Sequence, residues 1–136
     1  MRSIGVAALA AGSSVPLMFL TFIVLIGLFT EPGPIGAAEP RWAMVTAFYA
    51  PIVVTSSLAG AFYAGALPTR LWPHVAIGLL AGALLESILL GVRLANGDPF
   101  GSFAPAGYLV HPLLGASGST LSGVIRIRRW RDYLDA

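Results

Sequence analysis

Four stretches of this chain, residues 4–30, 42–67, 72–93 and 104–125, are each long enough to cross a bilayer and carry almost no charge. The first two contain no acid, base or histidine; the third holds His74, Glu86 and, at its end, Arg93; the fourth holds only His111. A hydrocarbon core about 30 Å thick takes about 20 apolar residues of helix. In lipid, a spanning segment must also satisfy its own backbone hydrogen bonds, which a helix does. The pattern therefore predicts an all-α membrane protein, a four-transmembrane-helix bundle. It forms a single integral membrane domain over 1–136, ending in a basic tail at 126–136. Composition agrees: 57% of the residues are hydrophobic and 10% charged, where a soluble domain carries about 25% charged residues. Connections this short leave no room for a soluble catalytic domain.

The arginines orient the bundle. Arg2, Arg70, Arg126, Arg128, Arg129 and Arg131 fall on one side of the four spans, against Arg41 and Arg93 on the other. Cytoplasmic loops are enriched in basic residues, so both termini and the turn around Arg70 are expected in the cytoplasm of a bacterial cell, the spans lying in its inner membrane. The first span has a length of apolar sequence well beyond a signal peptide's central region, and is read as a retained helix. Trp42, Trp72, Tyr108 and Trp130 lie near span ends, where amphipathic rings favour the interface. The tail, with Arg126, Arg128, Arg129 and Arg131, reads either as a short amphipathic segment on anionic lipid headgroups or as a plain cytoplasmic stop signal. Positive-inside bias already explains these arginines, so no nucleic-acid partner is expected.

The chain contains no Cys, which removes disulfides, thiolate metal sites and prenylation. No G-x-S-x-G elbow, H-E-x-x-H pair or phosphate-binding glycine loop is present, so no enzyme activity is expected. His74, near the cytoplasmic interface, and His111 are separated by most of the bilayer, too far apart to hold a haem between them. Glu86 with His111 supplies only two metal ligands where three or more must converge. No cofactor is expected.

Membrane helices associate through close backbone approach and interhelical hydrogen bonds, so small residues mark their contact faces. Gly78 and Gly82 stand one helical turn apart in the third span, and Glu86 continues their row. Gly107, His111, Gly115, Gly118 and Ser122 share one face of the fourth. Pro112 withholds an N–H from the carbonyl of Tyr108, which predicts a kink beside His111. Thr55, Ser56 and Ser57 add a polar patch to the second span. "SSLAG" at 56–60 echoes "STLSG" at 119–123, which would suit two helical hairpins related by an axis along the membrane normal.

Depth brings the polar groups together. At about 1.5 Å of rise per residue, Glu86 lies roughly 12 Å and His111 roughly 9 Å inside their outer ends, with Tyr49 level. Arg93, seven residues beyond Glu86, leans back toward it because helical side chains point toward the N-terminus. A carboxylate at this depth costs a few kcal/mol, so Glu86 requires a partner, either within this chain or on another. The first reading is a packing or accessory subunit of a homo-oligomer or larger membrane complex, with Glu86 joining helices. The alternative is a small proton- or cation-coupled transporter or channel, with Glu86, His111, Tyr49 and Arg93 as its site.

Overall fold

The computed structural model describes residues 2–29, 41–63, 70–97 and 108–135. These form four helices: α1 (Arg2–Phe29), α2 (Arg41–Tyr63), α3 (Trp72–Ala95) and α4 (Val110–Leu134). Local chemistry sets the described ends of α3. Pro73 occupies its first turn, where no intrahelical N–H is needed. At its far end the N–H groups of Asn96 and Gly97 close on carbonyls of Val92, Arg93 and Leu94. Gly97 then takes φ of 74°, a left-handed conformation that glycine adopts without steric cost.

Around the bundle the order is α1, α2, α4, α3, with α2 and α3 also meeting across the middle while α1 and α4 occupy opposite corners. Contacts fix the directions. Gly78 and Gly82 of α3 abut Gly115 and His111 of α4 respectively, so that pair is antiparallel. Gly118 of α4 meets Val53 and Ser56 of α2, and Gly60 meets Ser119 and Ser122, so that pair is parallel. The two Ser/Gly motifs noted in the sequence thus lie against each other. A two-fold axis along the membrane normal would give α1 and α4 the contact that α2 and α3 make, and among the described residues theirs is far smaller. The resemblance of the motifs therefore reflects a shared packing task at one helix pair.

Small side chains bring the backbones together, as the lipid environment demands. Ala7, Ala10 and Ala11 of α1 are buried with Ile52 of α2 and Ile77, Ala81 and Leu85 of α3. Ser14 and Thr55 join α1 to α2 through hydroxyls 2.7 Å apart; each has one hydrogen, so one hydroxyl donates across to the other, which in turn donates to a carbonyl one turn back on its own helix. Interhelical bonds of this kind average about 0.6 kcal/mol in a membrane and reach about 1.7. Thr55→Val keeps the shape and removes the bond, so its cost in a denaturant titration in mild detergent should fall near the lower figure. A loss above the upper figure would mean that Thr55 does more than bond Ser14.

The last helix differs from expectation at its two ends. Three helices, through Ile4–Leu25, Val45–Phe62 and Trp72–Ala95, are long and apolar enough to cross a membrane among the described residues. α4 has the length without the apolarity, because its sequence is rich in Gly and Ser, and Gly115, Gly118, Ser119 and Gly123 turn inward. It also begins at Val110, after a single turn at Tyr108 and Leu109. Pro112 therefore sits in the first turn of α4, where it removes no intrahelical bond and produces no kink. At the other end, the tail continues α4 to Leu134 as one helix. Arg126 donates from Nη1 to the carbonyl of Ala61, one of the last carbonyls of α2, which favours a cation there. Arg128, Arg129 and Arg131 are exposed.

Candidate functional site

The row Gly78, Gly82, Glu86 meets His111 and Gly115 along the α3–α4 seam. A Cβ on Gly78 would stand 2.6 Å from the Cα of Ala116, and one on Gly82 would stand 2.5 Å from the Cα of Pro112. These approaches are possible only for glycine, and they register the two helices so that Glu86 emerges beside His111. His111 Nδ1 is hydrogen-bonded with Glu86 Oε2; an ionised carboxylate only accepts, so against it Nδ1–H is the donor. Both residues are buried, at 7% and 4% exposure. The carboxylate thus finds its partner inside this chain.

Two more elements complete the cluster. Arg93, two turns further along α3, places Nη1 3.5 Å from Glu86 Oε1. Its guanidinium carbon lies 5.8 Å from the centre of the Tyr108 ring, within the range of a cation–π contact. From α2, the Tyr49 ring stands 5.2 Å from the His111 ring at a tilt of 40°. Glu86, His111, Arg93 and Tyr49 are all brought together, as their estimated depths suggested. Gly115, Gly118 and Ser122 lie at helix contacts, and Gly107 falls outside the described residues.

The cluster can hold a proton. With Nδ1–H donating to the carboxylate, the uncharged imidazole presents a lone pair at Nε2. That atom is buried without a hydrogen-bond partner. His111 also helps wall a cavity of about 220 Å³, together with Phe48, Tyr49, Leu89, Val92 and Arg93. Below the cluster the backbones of Gly78 and Gly115 close on each other.

His74 is apart from this site. It lies in the first turn of α3, 2% exposed, with its ring beneath Gly123, whose Cβ would stand 2.7 Å from His74 Cγ. Its Nδ1 also lacks a partner, as does Ser119 Oγ between the two histidines. Among the described residues no three His, Cys, Asp or Glu side chains converge, so Glu86 and His111 remain a pair.

Some of the site escaped the sequence. Tyr108 shows there only as an interfacial ring, because its contact with Arg93 depends on how the third and fourth helices pair, which the sequence does not give. Gly60 and Gly123, both helix contacts, carry the same small-residue signal as the glycines singled out. Fold and site together define an all-helical protein with three helices fit to cross a membrane and one buried acid–imidazole–guanidinium cluster. Comparison with protein-family models, with curated proteins and with solved structures finds no match.

Proposed function

We propose that this chain is a small proton- or cation-coupled transporter or channel of the bacterial cytoplasmic membrane. In this reading all four helices span the bilayer, α4 being sheltered by its neighbours, and both termini are cytoplasmic. The observation that carries it is the Glu86–His111 pair, joined within the chain at the wall of a cavity, with Glu86 Oε1 and His111 Nε2 buried and without hydrogen-bond partners. A pair that served only to bind helices would gain nothing from those unpaired atoms, since a buried polar atom without a partner costs free energy. The partnerless Ser119 Oγ and His74 Nδ1 supply further polar points deeper in the bundle. Passage across the membrane would require α3 and α4 to separate at the Gly78–Gly115 contact.

The test is flux. Purified protein in liposomes should dissipate an imposed proton or cation gradient, and Glu86→Gln, which keeps the size of the side chain and removes its charge, should abolish that flux. Wild-type protein that conducts neither protons nor cations under either gradient polarity would defeat the proposal.

A second reading, a packing or accessory subunit of a homo-oligomer or larger membrane complex, draws on the outer face of α4. There Leu113, Ala116, Ser117, Thr120, Leu121 and Val124 line an open groove, with small and hydroxyl residues at the spacing that lets another helix approach. A partner co-purifying in mild detergent, with no flux in either protein, would favour it. Under both readings, the exposed Arg128, Arg129 and Arg131 face anionic lipid headgroups, while Arg126 is engaged with α2.

A further inference from the structure

We propose that His74 is a pH-sensitive latch at the end of the α3–α4 seam remote from Glu86, holding the two helices together while its ring is uncharged and releasing them when it takes up a proton. For its purpose the latch rests on the transport reading, in which this seam must part. Three observations carry it. The first is place. His74, Gly78 and Gly82 follow one another by single turns on α3, and the contacts of Gly78 with Gly115 and of Gly82 with His111 set the antiparallel register that brings His74 to Gly123. His74 is therefore the next contact along the seam beyond the Gly78–Gly115 closure.

The second is fit. The His74 ring is 2% exposed and fills the space at Gly123, where a Cβ would stand 2.7 Å from Cγ and 2.8 Å from Cδ2. Its Nδ1 is buried without a hydrogen-bond partner. A histidine placed only to bond helices would have that nitrogen engaged, because leaving it unpaired costs free energy. The site therefore holds a titratable ring by close packing at the point where α3 and α4 meet.

The third is charge. Arg126 follows Gly123 by one turn and leans back toward it, near enough for its charge to act on the ring, while its Nη1 donates to the carbonyl of Ala61 on α2. Among the described residues nothing answers a second cation there. Arg70, just ahead of α3, is exposed, and the core residues Ala7, Ala10 and Ala11 of α1 and Ala59 of α2 are apolar. Of the described acids, Glu86 lies about three turns along α3 and is bonded to His111, and Asp132 and Asp135 are exposed near the end of α4. A proton on His74 would set an uncompensated buried charge beside Arg126, which works against the closed seam. Once α4 moves off, water reaches the ring, and a hydrated imidazole takes up a proton below about pH 6.5. The separated form gains that proton, so acid favours separation and higher pH favours closure.

The chain has no Cys, so spin labels on introduced cysteine pairs can report distances in the full chain in phosphatidylcholine nanodiscs. Leu71→Cys with Ile125→Cys, both at exposed positions, reads the His74 end of the seam; Leu94→Cys with Leu109→Cys, also exposed, reads the Glu86 end. As pH falls from about 8 to about 5.5, either side of the ordinary imidazole range, the first distance should lengthen reversibly and the second should change less. His74→Phe, which fills the space with a ring that takes up no proton, should abolish the lengthening, and His74→Gln tests the same point with a smaller uncharged side chain. A first distance indifferent to pH in the wild type would overturn the proposal, as would a lengthening that survives both substitutions or a larger change at the Glu86 end. The chain has two histidines, so histidine-labelled NMR with His111→Asn as the assignment reads the proton on His74 directly; uptake without lengthening would also overturn it. The distances need no flux. Lengthening with acid but no Glu86-dependent flux would sink the transport reading alone, and flux with an indifferent first distance would sink the latch alone.

Discussion

Gly82→Leu is expected to break the α3–α4 seam and cost more than about 3 kcal/mol, the upper end of ordinary overpacking penalties. The reason is what the new side chain meets. Its Cβ alone would stand 2.5 Å from both the carbonyl carbon of His111 and the Cα of Pro112. These are backbone atoms, so no rotamer change relieves the clash and the helices must move apart. Gly91→Leu on the same helix is the matched control, because a Cβ there meets nothing within 4 Å. Denaturant titration in mild detergent, read by circular dichroism and gel filtration, should show Gly82→Leu unfolding early or aggregating and Gly91→Leu close to wild type. If Gly82→Leu instead dissociated an oligomer and left the monomer's stability intact, the glycine would belong to a contact between chains.

Glu86 and His111 should prove strongly coupled. Glu86→Ala leaves Arg93 and His111 facing a void that was a carboxylate, and removing one partner of a buried ionic pair costs about 3 to 5 kcal/mol. Glu86→Gln retains an acceptor and should cost less, which is why it serves the flux measurement. In a double-mutant cycle, Glu86→Gln with His111→Asn should give an interaction energy of about 1 to 3 kcal/mol, the range for residues sharing one hydrogen-bonded network. Additive losses would mean that the hydrogen bond between them contributes nothing to holding α3 on α4. Arg93→Met offers an internal comparison. Its contact with Glu86 is longer, at 3.5 Å, and 27% of its side chain is exposed, so its removal should cost less than that of Glu86.

Much of the architecture was legible before any coordinates. The helices follow from runs of apolar residues whose backbone must bond to itself in lipid. Glu86, His111 and Tyr49 could be set at one level because helical rise converts residue number into depth, and Arg93 could be brought to them because helical side chains lean toward the N-terminus. Other expectations failed for identifiable reasons. Pro112 produces no kink because α4 starts only at Val110, and a helix start inside a run rich in Gly and Pro has no sharp apolar signature. The motifs "SSLAG" and "STLSG" suggested two related hairpins, but the sequence carried no information on which helices are neighbours. Arg126 looked like the other tail arginines until its position over the end of α2 became visible.

By itself the sequence determined that this protein is helical, that its long apolar helices suit a bilayer, and that a single acid had to be accommodated within it. Those properties follow from composition and from distances along one helix, which are local. Only the tertiary structure decided that the acid's partner is His111 of the same chain, that Gly78 and Gly82 close an internal seam, and that Nε2 of His111 is buried without a hydrogen-bond partner. Each depends on which helix faces which and at what rotation, set by the fit of small residues and backbones along whole interfaces.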